Sequence, residues 1–195
     1  MKVFVVYCHP STKSFTHVMK EEFLQGLKDA GHSVVVSDLY QMNFNETLSE
    51  DEYLREAYYR SDIRVSSDVL EEQRKIQESD AIVFIYPVFW TEAPSKLVGW
   101  FDRVWSSGFA YAPNPTMKTL DKALFLVSAG KSQSTLAQTG ELNAMRTVML
   151  GDRIRDRAKQ KEMIVFDGMS HWDENHRQAN MQNSLKTIYQ MGKEF

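Results

Sequence analysis

The alternation of short apolar runs with helical stretches predicts an α/β protein: an open, doubly wound sheet of five parallel strands in the order 2-1-3-4-5. Two observations carry that prediction. Ala81–Tyr86 and Val3–Tyr7 are unbroken apolar runs rich in Val, Ile and Phe, as suits strands buried on both faces. Strand, helix and strand then follow within the first forty residues, a βαβ unit that is right-handed by default. The strand order places a topological switch point between strands one and three, where doubly wound sheets bind ligands.

The elements follow in order. After Val3–Tyr7, the segment His9-Pro10-Ser11-Thr12-Lys13 breaks the strand, and Ser14 is placed to cap a helix. Phe15, Met19, Phe23 and Leu27 form that helix's apolar stripe, and Gly31 ends it. Val34–Val36 opens strand two, which ends near Asp38-Leu39-Tyr40. From Gln41 to about Ser67 the pattern loosens and turns acidic. It reads as an excursion with a short helix near Glu50–Tyr59, forming a half-exposed lid over the body. A charged helix, Asp68–Glu78, leads into strand three at Ala81–Tyr86. The loop Pro87–Thr91 and a helix from Pro94 to Val104 follow, with proline at a first-turn position. Ser106–Thr119 reads as a loop, Ala123–Val127 as strand four and Ser128–Lys131 as its exit. Leu142–Arg157 reads as helix interrupted at Gly151, Met163–Phe166 as strand five and Asn175–Met191 as a closing helix. The whole chain, 1–195, reads as one domain.

Composition narrows the function classes. A net charge of −3 without any basic cluster argues against nucleic acid as a partner. No apolar run approaches the roughly 20 residues needed for a membrane span, and the first run is too short for a signal peptide. The single cysteine, Cys8, has no internal disulfide partner and behaves as a small buried hydrophobe, which fits a reducing cytoplasm. His171 and His176 have no carboxylate or cysteine at ligand spacing, so no metal site is expected.

Three loops at the carboxyl ends of the strands carry the chemistry. The first lacks G-x-G-x-x-G and Walker patterns, but it sets His9, Ser11, Ser14 and Phe15 at a helix start, where orphan N–H groups and the helix dipole suit an anion. Ser14 as a cap and His9 as a strand end is an equal reading from spacing alone. The second loop brings the flat surfaces of Phe89 and Trp90 beside backbone amides, as suits a planar heteroaromatic ring, although core packing or a dimer contact is the better reading of any single aromatic. The third, Ser128-Ala129-Gly130, lets backbone approach a ligand closely beside the cation of Lys131. Together they point to a nucleotide-like flavin.

The pattern His9-x4-Ser14-Phe15, followed by YPVFWTEAPSKLVGWFDRV and GFAYAP, resembles the NAD(P)H quinone oxidoreductases of the DT-diaphorase type over roughly residues 2 to 130. The resemblance implies a flavodoxin-like fold and a homodimer. It also implies FAD, with FMN as the alternative, and NADPH or NADH as co-substrate. His9, Ser14 and Phe15 would contact the flavin phosphate and ribityl chain. Pro87, Val88, Phe89, Trp90 and Thr91 would hold the isoalloxazine edge, and Ser128, Ala129, Gly130 and Lys131 its pyrimidine end. Gly130 and Lys131 are the residues expected to stabilise charge during catalysis, with backbone N–H groups around Ala129 and Gly130 as the donors. The implied reaction is ping-pong, two-electron hydride transfer through flavin N5 to a quinone-like acceptor. A flavin-binding ancillary subunit, as of a potassium-efflux system, and an azo or nitro reductase are the alternatives. The chain departs from the family at Leu136 and Leu142, which stand where mammalian-type enzymes use a tyrosine and a histidine.

Overall fold

The computed structural model describes residues 1–60, 62–112 and 114–195. Pro113, part of the expected loop and of the GFAYAP motif, and Ser61, in the acidic excursion, lie outside the described residues. Five parallel strands pair in the order 2-1-3-4-5: β1 (Lys2–Tyr7), β2 (Ser33–Asp38), β3 (Ala81–Pro87), β4 (Leu120–Ser128) and β5 (Ala158–Phe166). Among the described residues the α-helices are α1 (Phe15–Asp29), α2 (Glu50–Ala57), α3 (Ser67–Glu78), α4 (Ser95–Val104), α5 (Gln133–Gln138), α6 (Glu141–Arg146) and α7 (Glu174–Lys193).

Each face of the sheet has its own core because side chains alternate along a strand. Phe4, Val6, Phe84, Tyr86 and Phe125 pack against the α3–α4 side, with Leu97, Trp100 and Phe101. Val3, Val5, Val83, Ile85 and Leu126 pack against α1 and α7, through Met19, Phe23, Leu27 and Ile188. Every residue of β3 is buried, in keeping with its central place. Trp100 and Trp105 belong to the first core.

Several boundaries differ from the expectation. Pro87 closes β3, paired with Ser128, and does not open the loop. As the last residue of the strand it still presents its carbonyl, and its missing N–H disrupts little. β5 begins at Ala158, and its next four residues, Lys159–Glu162, are exposed. Polar residues hid this half of an edge strand from a search for apolar runs. The segment after strand four is not one helix from Leu142. It is α5, a break at Gly140 with φ +82°, then α6 running into a π-helical turn at Thr147–Ile154 that contains Gly151. The excursion after β2 carries α2 at the expected place, with a capping box between Ser49 and Glu52. Tyr53, Tyr58 and Tyr59 are exposed there.

Candidate functional site

The loops leaving β1, β3 and β4 converge on two contiguous cavities, of about 230 Å³ and 250 Å³, which share Val88, Ala129 and Gly130. The first holds His9, Ser14, Phe15 and Ser128; the second holds Trp90, Thr91 and Lys131. Ser11, also expected in the site, lies outside both and serves the loop itself.

In the first loop, Ser14 caps α1. Its hydroxyl accepts from the His17 N–H at 3.1 Å and donates to the Ser11 carbonyl at 2.9 Å. The loop's anion donors are therefore chiefly the N–H groups of Phe15 and Thr16, which lie at the start of α1 and have no partner among the described residues. The Nδ1 of His9 accepts from the Ser11 N–H at 2.9 Å, and burial holds this imidazole below its ordinary pKa. The same Nδ1 lies 3.0 Å from the Ser11 carbonyl, so both backbone polar groups of Ser11 hold the ring in place. Thr16 and Ser128 share a buried hydroxyl–hydroxyl bond of 2.8 Å that ties the first loop to the end of β4.

The second loop is a tight two-residue hairpin. Phe89 donates its N–H to the Glu92 carbonyl at 2.8 Å, and Glu92 returns the bond at 3.0 Å. Its central residues, Trp90 and Thr91, have φ of +54° and +74°. This is the conformation that Asn-Gly normally supplies, and here a bulky and a β-branched residue hold it under strain. Val88 gives its N–H to the Ser128 carbonyl at 2.8 Å. Of the amides expected to face a ring edge, Val88 and Phe89 are therefore engaged, and Trp90 and Thr91 are without partners among the described residues. The Trp90 side chain is 100% exposed.

The third loop corrects the expected donor pair. Ala129 donates its N–H to the Phe166 carbonyl at 2.9 Å, continuing the β4–β5 ladder, so it is not a ligand donor. Gly130 keeps its N–H without a partner among the described residues. Lys131 is turned onto Glu141, 2.8 Å away, at the rim of the larger cavity. Hydrogen bonds from Lys131 and Thr139 hold the Glu141 carboxyl below its usual range. Leu136 and Leu142 are both buried, and Leu136 lines the larger cavity, so apolar wall stands at the first of the two departures from the family.

Sequence reasoning missed Arg177, in the first turns of α7. It lines the smaller cavity with His9 and Ser14, is buried, and is held by Glu174 at 2.9 Å through Nη1. Its Nε is buried without a partner among the described residues. Nothing in DENHRQ distinguishes this arginine from a solvated helical one; only the packing of α7 on α1 brings it there. His171, at the start of the same segment, also reaches that cavity. An orphaned buried guanidinium nitrogen beside a helix start requires an acceptor. A phosphate there, with a planar ring near the free amides of Trp90, Thr91 and Gly130, fits the donor set, so the residues present fit a flavin nucleotide.

Over residues 1–188 the sequence matches the family described by its flavodoxin-like fold. A NAD(P)H:quinone oxidoreductase from Methanothermobacter marburgensis superposes with a TM-score of 0.91 at 41% identity, covering 99% of this chain and 98% of that one. The chain belongs to the flavodoxin-like quinone oxidoreductase family. Among curated members, ribosyldihydronicotinamide dehydrogenase [quinone] from Rattus norvegicus is 41% identical over 125 residues, covering 56% of this chain and 53% of the rat protein. NAD(P)H dehydrogenase [quinone] 1 from the same species is 32% identical over 171 residues, covering 76% and 60%. The chain thus spans little more than half the length of these curated relatives. Among the described residues no helix is long and apolar enough to cross a membrane.

Proposed function

We propose that this chain is a flavin-dependent NAD(P)H oxidoreductase that passes two electrons to a quinone-like acceptor. The observation that supports this best is the convergence of an anion cradle and an amide-edged cavity on the same three loops, in a member of a quinone oxidoreductase family. A bound flavin would supply the hydride chemistry between a reduced nicotinamide and the acceptor.

The protein's part is binding, orientation and electrostatics. The Phe15 and Thr16 N–H groups, the His9 imidazole and Arg177 hold the phosphate end. FAD is the flavin this reading takes, as the family resemblance implies, with Arg177 and the α1 start lining one cavity. The N–H groups of Trp90, Thr91 and Gly130 hold the ring edge, with Phe89 and Trp90 as its apolar surround. Gly130 N–H and Lys131 are the donors for negative charge at the pyrimidine end. Lys131 takes that role on leaving Glu141, an exchange in which the lysine is exposed and the carboxylate half-buried. With Leu136 as wall, proton delivery to the acceptor falls to solvent. In this reading the protein works as a homodimer, with the exposed Trp90 and Trp172 covered by the second copy.

The test is the absorption spectrum of the purified protein, mass identification of what heat releases, and steady-state turnover with NADPH or NADH and a soluble quinone. The expected result is bound FAD and quinone-dependent oxidation of the nicotinamide. A colourless protein that cannot be reconstituted removes the flavin reading; a yellow protein without turnover removes the catalytic one.

A further inference from the structure

A separate crevice of about 510 Å³ opens on the other side of α1's first turn, between the carboxyl ends of β1 and β2. Tyr7 and Asp38 are register partners in the parallel β1–β2 pair, so their side chains leave the same face of the sheet, towards α1. From above, α1 brings His17 and Lys20. The His17 ring meets Tyr7 edge-on with centroids 6.0 Å apart, and the Lys20 ammonium lies 4.6 Å from the Tyr7 ring centre.

Two buried polar atoms in this cluster are without partners among the described residues: the Tyr7 phenol oxygen, on a residue 1% exposed, and His17 Nδ1. Buried polar groups are almost always satisfied, and a lone one calls for a ligand. Asp38 Oδ1 accepts from the Gln41 N–H at 3.0 Å, and Oδ2 is without a partner among the described residues. Lys20 is engaged by Glu21 at 2.8 Å. The free groups are therefore a carboxylate oxygen, a phenol and an imidazole nitrogen, with the hydroxyls of Thr12 and Tyr40 at the mouth. That set suits a ligand rich in hydroxyls and disfavours a phosphate against Asp38. In the Rossmann form of the doubly wound fold a carboxylate at the end of the second strand reads a ribose diol; Asp38 holds the corresponding strand end here, without that form's glycine fingerprint.

We propose that this crevice binds a ribonucleotide by its ribose, Asp38 accepting from the cis-diol while Tyr7 and His17 hydrogen-bond to the remaining polar atoms of the nucleoside. The ribose belongs either to a free nucleotide or to the adenosine half of the pyridine nucleotide; the recognition chemistry is the same. The site shares only His9 with the cradle described above and does not depend on the flavin reading.

The test is calorimetric titration of the full chain as purified, flavin-loaded where it retains flavin, with AMP, 2′-deoxy-AMP and ADP-ribose. AMP and ADP-ribose bind, and removal of the 2′-hydroxyl weakens binding at least tenfold. Tyr7→Phe, which keeps the ring and deletes a buried orphan hydroxyl, and Asp38→Asn, which keeps the turn acceptor, each weaken AMP binding at least tenfold. The urea midpoint of Tyr7→Phe stays at or above the parent's, separating lost binding from lost folding. AMP competing with NADH identifies the pyridine nucleotide as occupant, and AMP binding without competition identifies a free nucleotide. Absence of AMP and ADP-ribose binding at millimolar concentration overturns the site, as does equal binding by both variants or equal binding of the deoxy form. A colourless protein that binds AMP sinks the flavin reading alone; a yellow protein that ignores AMP sinks this one alone.

Discussion

Arg177 and Thr91 show how single residues acquire roles that their local sequence does not announce. Arg177 is a buried cation with one partner, Glu174, and one unpartnered nitrogen in the cradle. Replacing it by Gln removes a charge-assisted bond to phosphate, a loss of about 1.5–3 kcal/mol. Flavin affinity should accordingly fall at least tenfold in equilibrium dialysis, and unchanged affinity would remove Arg177 from the phosphate site. Thr91, at φ +74°, is a β-branched residue in a region suited to glycine. Thr91→Gly should stabilise the fold by about 1 kcal/mol in urea denaturation, while loosening the hairpin that positions the ring edge. Spacing placed His9, Ser14 and Gly130 on the strand-end loops, and the structure lines the two cavities with them. Their division of labour was not legible, because which N–H is free depends on partners far along the chain: Phe166 for Ala129 and Ser128 for Val88.

At the scale of elements, the central strands and long helices were readable because burial imposes continuous apolar runs on β1, β3 and β4, and a 3.6-residue stripe on α1. β5 was half hidden, since its first half carries exposed Lys and Glu along the sheet edge. α5 was missed because six polar-rich residues give too little periodicity to register. The pairing of α1 with α7 decides where Arg177 sits, and it depends on two glycines. A Cβ on Gly26 would run into the Tyr189 carbonyl, and one on Gly192 into the Phe23 carbonyl. Backbone cannot yield as a flexible side chain can. Gly26→Ala should therefore cost roughly 3 kcal/mol of stability and also weaken flavin binding, because the start of α7 shifts. A variant as stable as the parent, with its flavin intact, would show that the helices have room to part.

Over the whole molecule, a buried ionic network ties the acidic excursion to the body. Arg103 of α4, its side chain 3% exposed, holds Glu52 of α2 at 2.7 Å and Asp68 of α3 at 2.6 Å. Burial alone would raise the Glu52 pKa, but hydrogen bonds from Arg103, Ser49 and Ser66 outweigh it and bring the carboxyl down to about 2. A carboxyl lowered in the folded state adds stability that is fully present above its unfolded pKa of about 4.3. That stability is lost as pH falls through the folded value, and is roughly 3 kcal/mol at most. Stability measured by urea denaturation should accordingly drop between about pH 4.3 and pH 2. In Glu52→Gln that part of the pH dependence should vanish, while stability at pH 7 falls because Arg103 loses a buried partner. An unchanged acid profile in the variant would show that Glu52 titrates as a solvated carboxyl. The excursion is therefore anchored at its root, whatever its exposed tyrosines do.

The sequence by itself determined the α/β class, the parallel order of five strands and the three loops that meet at their carboxyl ends. Burial and helical period are local constraints that each segment records in its own residues. Tertiary structure decided which donors remain free, that Lys131 is held by Glu141, that Arg177 enters the cradle and that Tyr7 and Asp38 share a crevice. Each of these depends on partners brought together from distant parts of the chain, and a hydrogen bond made across such a distance leaves no pattern in either segment.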